Sequence, residues 1–334
     1  MPRLSPWILV AAFWTLARAF ATDAPAPPPP ASLAELEARA PQENSYPAPS
    51  PKFHQEVVRL VESNTLASGE DFFRAANVVR GPFPDYRSAR MRYELMLAAA
   101  AKDDRAAERL LPESWDSLLQ TLGRPMRLDV DGWVAGNPDQ DEYSLDPAPK
   151  VIQSVLRNPA EAREAAGKAI DNAEVQKIVD ADQAARAQSW SKLSQADLKA
   201  VTANDHQRNV RIREIVNEGG LHTARDFANA SLVMQHSSAF AGFELAHELA
   251  VCSMLLGDRG LGRWLVAATY DRMLNSTGHD QRFGTQGATM ATTQAKPELR
   301  ETDEAGICDA ERLALGCPTL AAKRANFFTP HPKN

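Results

Sequence analysis

Three polar groupings in the back half of the chain carry the residue types of acid–base chemistry. In Val175, Ile178, Val179, Asp182 and Arg186 the steps are three, one, three and four, so all five share one helical face. Three of the five are apolar, which turns Asp182 and Arg186 inward beside Gln183. Buried charges of that kind cost several kcal/mol each unless paired. The plainer alternative is an i,i+4 ion pair on a half-exposed edge, worth about 0.3 to 0.5 kcal/mol.

Gln235-His236 closes the helical run DFANASLVMQH, and Ser237-Ser238 end it. A histidine there is either a C-terminal cap favoured by the helix dipole or a general base and hydrogen-bond donor. Asp271-Arg272 continues the stripe Leu261, Trp264, Leu265 and Ala268, so Asp271 is expected to approach the core. After Gly278 follows Gln281-Arg282-Phe283-Gly284-Thr285-Gln286. Two amides, a hydroxyl and a glycine in six residues can hold a ligand or satisfy helix ends.

On the catalytic reading His236 is general base or acid, and Asp271 or Asp182 orients it. Gln183, Arg186, Gln235, Arg272, Gln281, Gly284, Thr285 and Gln286 would position a polar small molecule or a cell-envelope component. Hydrolysis or a lyase step suits such groups without a cofactor. The competing reading is a helical-repeat binding or scaffold module, because ELMLAAAAKDDRAAERLL resembles the helix-turn-helix units of interaction repeats. No metal is expected: His236, His247, Glu248, Asp271 and His279 offer no ligand-spaced pair, and HELAV lacks the second histidine of a zinc-protease helix.

Almost every apolar pattern beyond residue 52 has the 3.6-residue period, which predicts an all-α, multi-helix bundle. Helices are expected over His54–Val61, Ala89–Ala101, Ala106–Leu122, Val151–Leu156, Ala160–Gln188, Gln195–Val201, Gln207–Glu218, Ala224–Gln235, Phe243–Leu256 and Gly262–Asn275. A Gly/Pro/Asp-rich link over Asp129–Pro149 separates an N-terminal helical region, 52–140, from a C-terminal helical domain, 150–328. The chain also matches itself at a spacing of 154 or 155 residues. Glu94, Asp104 and Arg105 align with Glu248, Asp258 and Arg259; Asp116, Gly123 and Arg127 align with Asp271, Gly278 and Arg282. This spacing predicts a diverged internal repeat of three-helix units. Gly81, Met126 and Asp129 stand where the second copy has His236, Gln281 and Gly284, which places function in the back half.

The chain has 334 residues, 44% apolar and 24% charged, with a formal net charge of −6. That excludes a disordered or multi-pass membrane protein and disfavours nucleic-acid partners. Residues 1–21 have the form of a secretory signal: Arg3, an apolar stretch from Trp7 to Leu16, and Ala19-Phe20-Ala21. The stretch is half what a bilayer span requires, so a secreted or periplasmic protein with no span after signal removal is expected. Residues 22–51 read as a proline-rich linker. Of three cysteines in an exported chain, Cys308 and Cys317 are expected to pair, contributing roughly 2.5 to 3 kcal/mol, and Cys252 to be buried and inert.

The run from about Glu174 to Phe327 resembles an uncharacterised, mainly bacterial helical domain of unknown function. The matching motifs are Asp182-Gln183-Ala184-Ala185-Arg186, Asp205 with Arg208, Gln235-His236, Asp271-Arg272, Gln281-Arg282-Phe283-Gly284-Thr285-Gln286, and Arg312 before Gly316. Phe283 replaces the usual tyrosine. The resemblance implies that these residues group together and supplies no reaction.

Overall fold

Eight helices begin where the sequence offers a side-chain oxygen to the free N–H groups of the first turn. Ser32, Ser68, Ser194 and Thr223 form capping boxes with Glu35, Asp71, Asp197 and Asp226. Ser50, Asp85, Asp104 and Asn172 cap four more. The computed structural model describes residues 29–44, 50–80, 85–128, 147–187, 193–288 and 298–325. The leader-like segment 1–21, residues Gly81 and Asp129, and most of the Asp129–Pro149 link lie outside the described residues.

The class is all-α, with fourteen helices among the described residues. They are α1 (Leu33–Glu43), α2 (Pro51–Glu62), α3 (Gly69–Val78), α4 (Tyr86–Ala101), α5 (Arg105–Thr121), α6 (Lys150–Arg157) and α7 (Pro159–Ala166). Then come α8 (Ala173–Arg186), α9 (Gln195–Asn217), α10 (Ala224–Met234), α11 (Phe240–Leu255), α12 (Leu261–Ser276), α13 (Asp309–Ala314) and α14 (Leu320–Ala325). Between α12 and α13, β1 (Gly287–Ala288) pairs antiparallel with β2 (Glu298–Leu299). No helix of the described residues is long and apolar enough to cross a membrane.

Two packed triplets dominate: α3–α4–α5 in front and α10–α11–α12 behind. Their central helices, α4 and α11, are buried nearly all round, so Arg90, Arg92 and Glu94 on α4 and Glu244, His247 and Glu248 on α11 must find partners inside. Arg92 pairs with Glu113 of its own half, and the others find partners across the halves. Arg127 places Nε 2.6 Å from Glu248 Oε1 and Nη2 2.9 Å from Oε2, while Arg282 places Nε 2.9 Å from Glu94 Oε1 and Nη2 2.9 Å from Oε2. Trp115 Nε1 donates to Glu248 and the Tyr270 hydroxyl to Glu94. Beside them His247 accepts from the Tyr93 hydroxyl at 2.8 Å, and burial lowers its pKa to about 3. From Ala31 on, the chain clusters as one compact unit.

Four sequence expectations change. The proline-rich linker contains α1, whose Leu36 and Ala40 lie one turn apart and are buried, and whose Arg39 and Glu37 pair with Glu56 and Arg74. The helix expected over Ala160–Gln188 is α7 and α8, because Asn172 Oδ1 accepts from the N–H groups of Glu174 and Val175 and starts a new helix. The two helices expected over Gln195–Val201 and Gln207–Glu218 are the single helix α9. The Cys308–Cys317 disulfide is not formed: both are buried free thiols, as is Cys252. Burial pushes both thiols up to about 12.

Candidate functional site

Helix α8 presents Val175, Val179 and Asp182 to the interior. Asp182 therefore ends under the turn that follows α10, where Gln235 and His236 close the helix. Asp182 Oδ1 lies 3.3 Å from His236 Nδ1, and the Arg186 Nε–H donates to His236 Nε2 at 3.0 Å. A guanidinium can only donate, so Nε2 carries the lone pair and Nδ1 the hydrogen that faces Asp182. Burial holds the imidazole below its ordinary pKa, with Arg186 and Arg272 adding to this and Asp182 opposing it. His236 is thus neutral near pH 7, oriented by a carboxylate and engaged at both nitrogens.

The cluster extends beyond the pair. Arg186 Nη1 lies 2.9 Å from Asp182 Oδ1, and its Nη2 donates to both oxygens of Asp205 at 3.1 Å. Arg208 donates to Asp205 from the next turn of α9, and Gln183 Nε2 donates to Asp182 Oδ2 at 2.9 Å. Asp182 is 1% exposed and Arg186 17%. Solvent enters beside them: a pocket of about 750 Å³ is walled by Lys199, Asp205 and His206 of α9 and by the His236-Ser237-Ser238 turn.

Asp271 and Arg272 are neighbours on α12 but serve different surroundings. Asp271 accepts the N–H groups of Arg282 at 2.7 Å, Phe283 at 3.0 Å and Thr285 at 2.9 Å, and the Thr285 hydroxyl at 2.7 Å. Burial still raises its pKa, against those bonds. Gln281 Nε2 donates to the carbonyls of Gln286 and Arg300, and its Oε1 accepts the Gln286 N–H. Gln286 Nε2 returns to the Ala268 carbonyl and to Thr285 Oγ1. Gly284 has φ +71°, which a side chain would strain. The polar turn is saturated by its own bonds, so Asp271, Gln281, Thr285 and Gln286 hold a loop to α12, and Asp271 makes no bond to His236.

Arg272 faces the other way. Burial, then the positive charges of Arg186 and Arg300, lower its pKa, and it in turn acts on His236. The structure therefore gathers Asp182, Gln183, Arg186 and His236, with Arg272 within their field. Gln235 is buried in the same turn, and its side-chain amide has no hydrogen-bond partner among the described residues.

Lys199 and His206 were not among the expected site residues. Their spacing of seven puts them on one face of α9, but that helix is too polar all round for its sequence to mark a lining face. Asp205 and Arg208 entered only through the family resemblance. The residues once grouped as possible metal ligands are dispersed: His247 and Glu248 serve the core, Asp271 the loop, and His279 stacks on Tyr86. Among the described residues no three His, Cys, Asp or Glu side chains converge as metal ligands.

A scan against protein-family models returns no match, and neither the curated proteins nor the solved structures give a significant match.

Proposed function

We propose that the His236 pocket is the working site of an exported enzyme that performs general acid–base chemistry on a small polar substrate. The observation that carries this is the Asp182–His236 contact at the wall of a 750 Å³ pocket. A carboxylate on Nδ1 fixes the ring and stabilises the imidazolium that forms when Nε2 takes a proton. Substrate has to replace Arg186 at Nε2, and Arg186 keeps Asp182 and Asp205 as anchors when it moves. Ser237 and Ser238 supply hydroxyls beside the same edge. The exported address rests on the sequence of residues 1–21; of the motifs quoted for the resemblance over Glu174–Phe327, Asp182, Gln183, Arg186, Asp205, Arg208 and His236 come together here, while Asp271 and the Gln281–Gln286 turn form a separate grouping.

The second reading is a binding module without turnover. It is favoured by the same Arg186–His236 bond, which leaves neither ring nitrogen free.

In this proposal the two halves descend from one three-helix unit. Support comes from α4 and α11, each of sixteen residues, and from the reciprocal pairs Glu94–Arg282 and Glu248–Arg127. Asp116 also accepts the N–H groups of Arg127 and Leu128 as Asp271 accepts those of Arg282 and Phe283.

The test is a panel of p-nitrophenyl esters, phosphates and glycosides, with peptides and cell-wall fragments, on the purified chain. Activity should fall about 10²- to 10⁴-fold in His236→Ala with the melting temperature unchanged. Ligand-induced stabilisation without any turnover would select the binding reading, and loss of the fold in His236→Ala would make the histidine structural.

A further inference from the structure

The charges around His236 do not balance. Asp182 and Asp205 are the two carboxylates of the cluster, and Arg186 and Arg208 engage both. Arg272 is left over. It makes no hydrogen bond or ion pair among the described residues, and its Nε is shut off from water with nothing to donate to. Its charged neighbours, Arg186 and Arg300, are both positive, and with burial they lower its pKa. Arg272 as a whole is half-buried, and its Nε is the atom that has neither water nor an acceptor; nearly all buried donors in folded proteins have a partner, so leaving this one unmet is costly.

We propose that Arg272 is the binding residue for an oxyanion of the substrate, a carboxylate or phosphate group, held next to His236. This inference deepens the reading of the His236 pocket and rests on it. Three features support it. The planar fork of arginine matches the paired oxygens of such groups, and its donation strengthens where water is excluded. One negative charge from a ligand would leave Arg186, Arg208 and Arg272 matched by Asp182, Asp205 and the ligand. Lys199 stands in the wall of the neighbouring pocket, so the approach is positive as well.

The test is the thermal unfolding of the full chain in inorganic phosphate, acetate or chloride at matched ionic strength. The wild type should melt several degrees higher in phosphate or acetate than in chloride. A rise in acetate alone identifies a carboxylate, and one in phosphate alone a phosphate group. Arg272→Met should melt above the wild type in chloride, because an unpaired charge is gone, and should lose the anion-dependent rise. Arg272→Lys keeps the charge without the fork and should need at least about tenfold more anion for the same rise. His236→Gln should keep the rise, which separates anion binding from acid–base chemistry at the histidine. No rise in the wild type, or an equal rise in Arg272→Met, overturns the proposal. So does a rise that vanishes in His236→Gln and persists in Arg272→Met, since that places the anion on the imidazole.

Discussion

Arg127 and Glu248 face each other through two parallel hydrogen bonds, of 2.6 and 2.9 Å, and each side chain is only 1% exposed. Such a pair is worth little against apolar replacement of both partners, but removing one strands the other. Arg127→Met should therefore cost about 3 to 5 kcal/mol of unfolding free energy, because Glu248 would keep only the Trp115 N–H among these donors. The double variant Arg127→Met/Glu248→Gln should recover part of the loss, since Glu244, 3.3 Å from Arg127, loses that cation in either variant. Urea denaturation of the four proteins measures this, and additive losses would show that the pair is not coupled.

Glu311 gives a pH dependence of known sign. Its side chain is fully buried; Oε2 accepts the Cys308 N–H, and Oε1 has no partner. Burial, reinforced by the Glu94 charge, raises its pKa from an ordinary 4.5 to about 7. The folded state thus favours the protonated carboxyl, and its stabilising contribution is present below pH 4.5 and lost as pH rises through about 7. Integrated, the loss is roughly 3 kcal/mol. Glu311→Gln has no proton to lose, so it should gain on the wild type by that order between pH 4.5 and 8. Denaturation curves at both ends of that range decide the matter, and a difference that does not vary with pH would refute the assignment.

Gly242, inside α11, carries a third expectation. A Cβ there would lie 2.0 Å from Ser237 Oγ and 2.3 Å from Ser237 Cβ. Alanine normally improves a helix interior by up to about 1 kcal/mol over glycine. Here Gly242→Ala should instead destabilise by about 1 to 3 kcal/mol, since Ser237 has to move. Because Ser237 also walls the pocket, ligand binding should weaken in the same variant. Adding Ser237→Gly should restore the stability; if it does not, the crowding lies elsewhere.

The sequence reveals the elements better than their partners, for physical reasons. Helices with a continuous apolar stripe, such as α4 and α12, are legible from spacing alone. Helix α9 is not, because its polar circumference hides its continuity across Thr202 and His206. Spacing correctly turns Asp182 and Asp271 inward, yet it cannot say what each one meets. Asp182 meets an imidazole from another helix, whereas Asp271 meets backbone N–H groups eleven to fourteen residues away. The polar turn Gln281–Gln286 has the composition of a ligand loop, and its groups are spent on one another. Arg272 looks like the companion of Asp271 in sequence and belongs to the other grouping, because neighbouring helical positions point about 100° apart. The Glu94–Arg282 and Glu248–Arg127 pairs leave only a hint in sequence, the shared spacing of the two copies.

Glu94 and Arg282 stand 188 positions apart. During synthesis the first leaves the ribosome long before the second exists. Helix α4 can form early, with Arg90 beside Glu94, but enclosing it before the stretch after Gly278 arrives would seal that carboxylate without its hydrogen-bonded partner Arg282. The last contacts to form are then among the longest loops the chain closes, and contacts of that range form slowly compared with a helix.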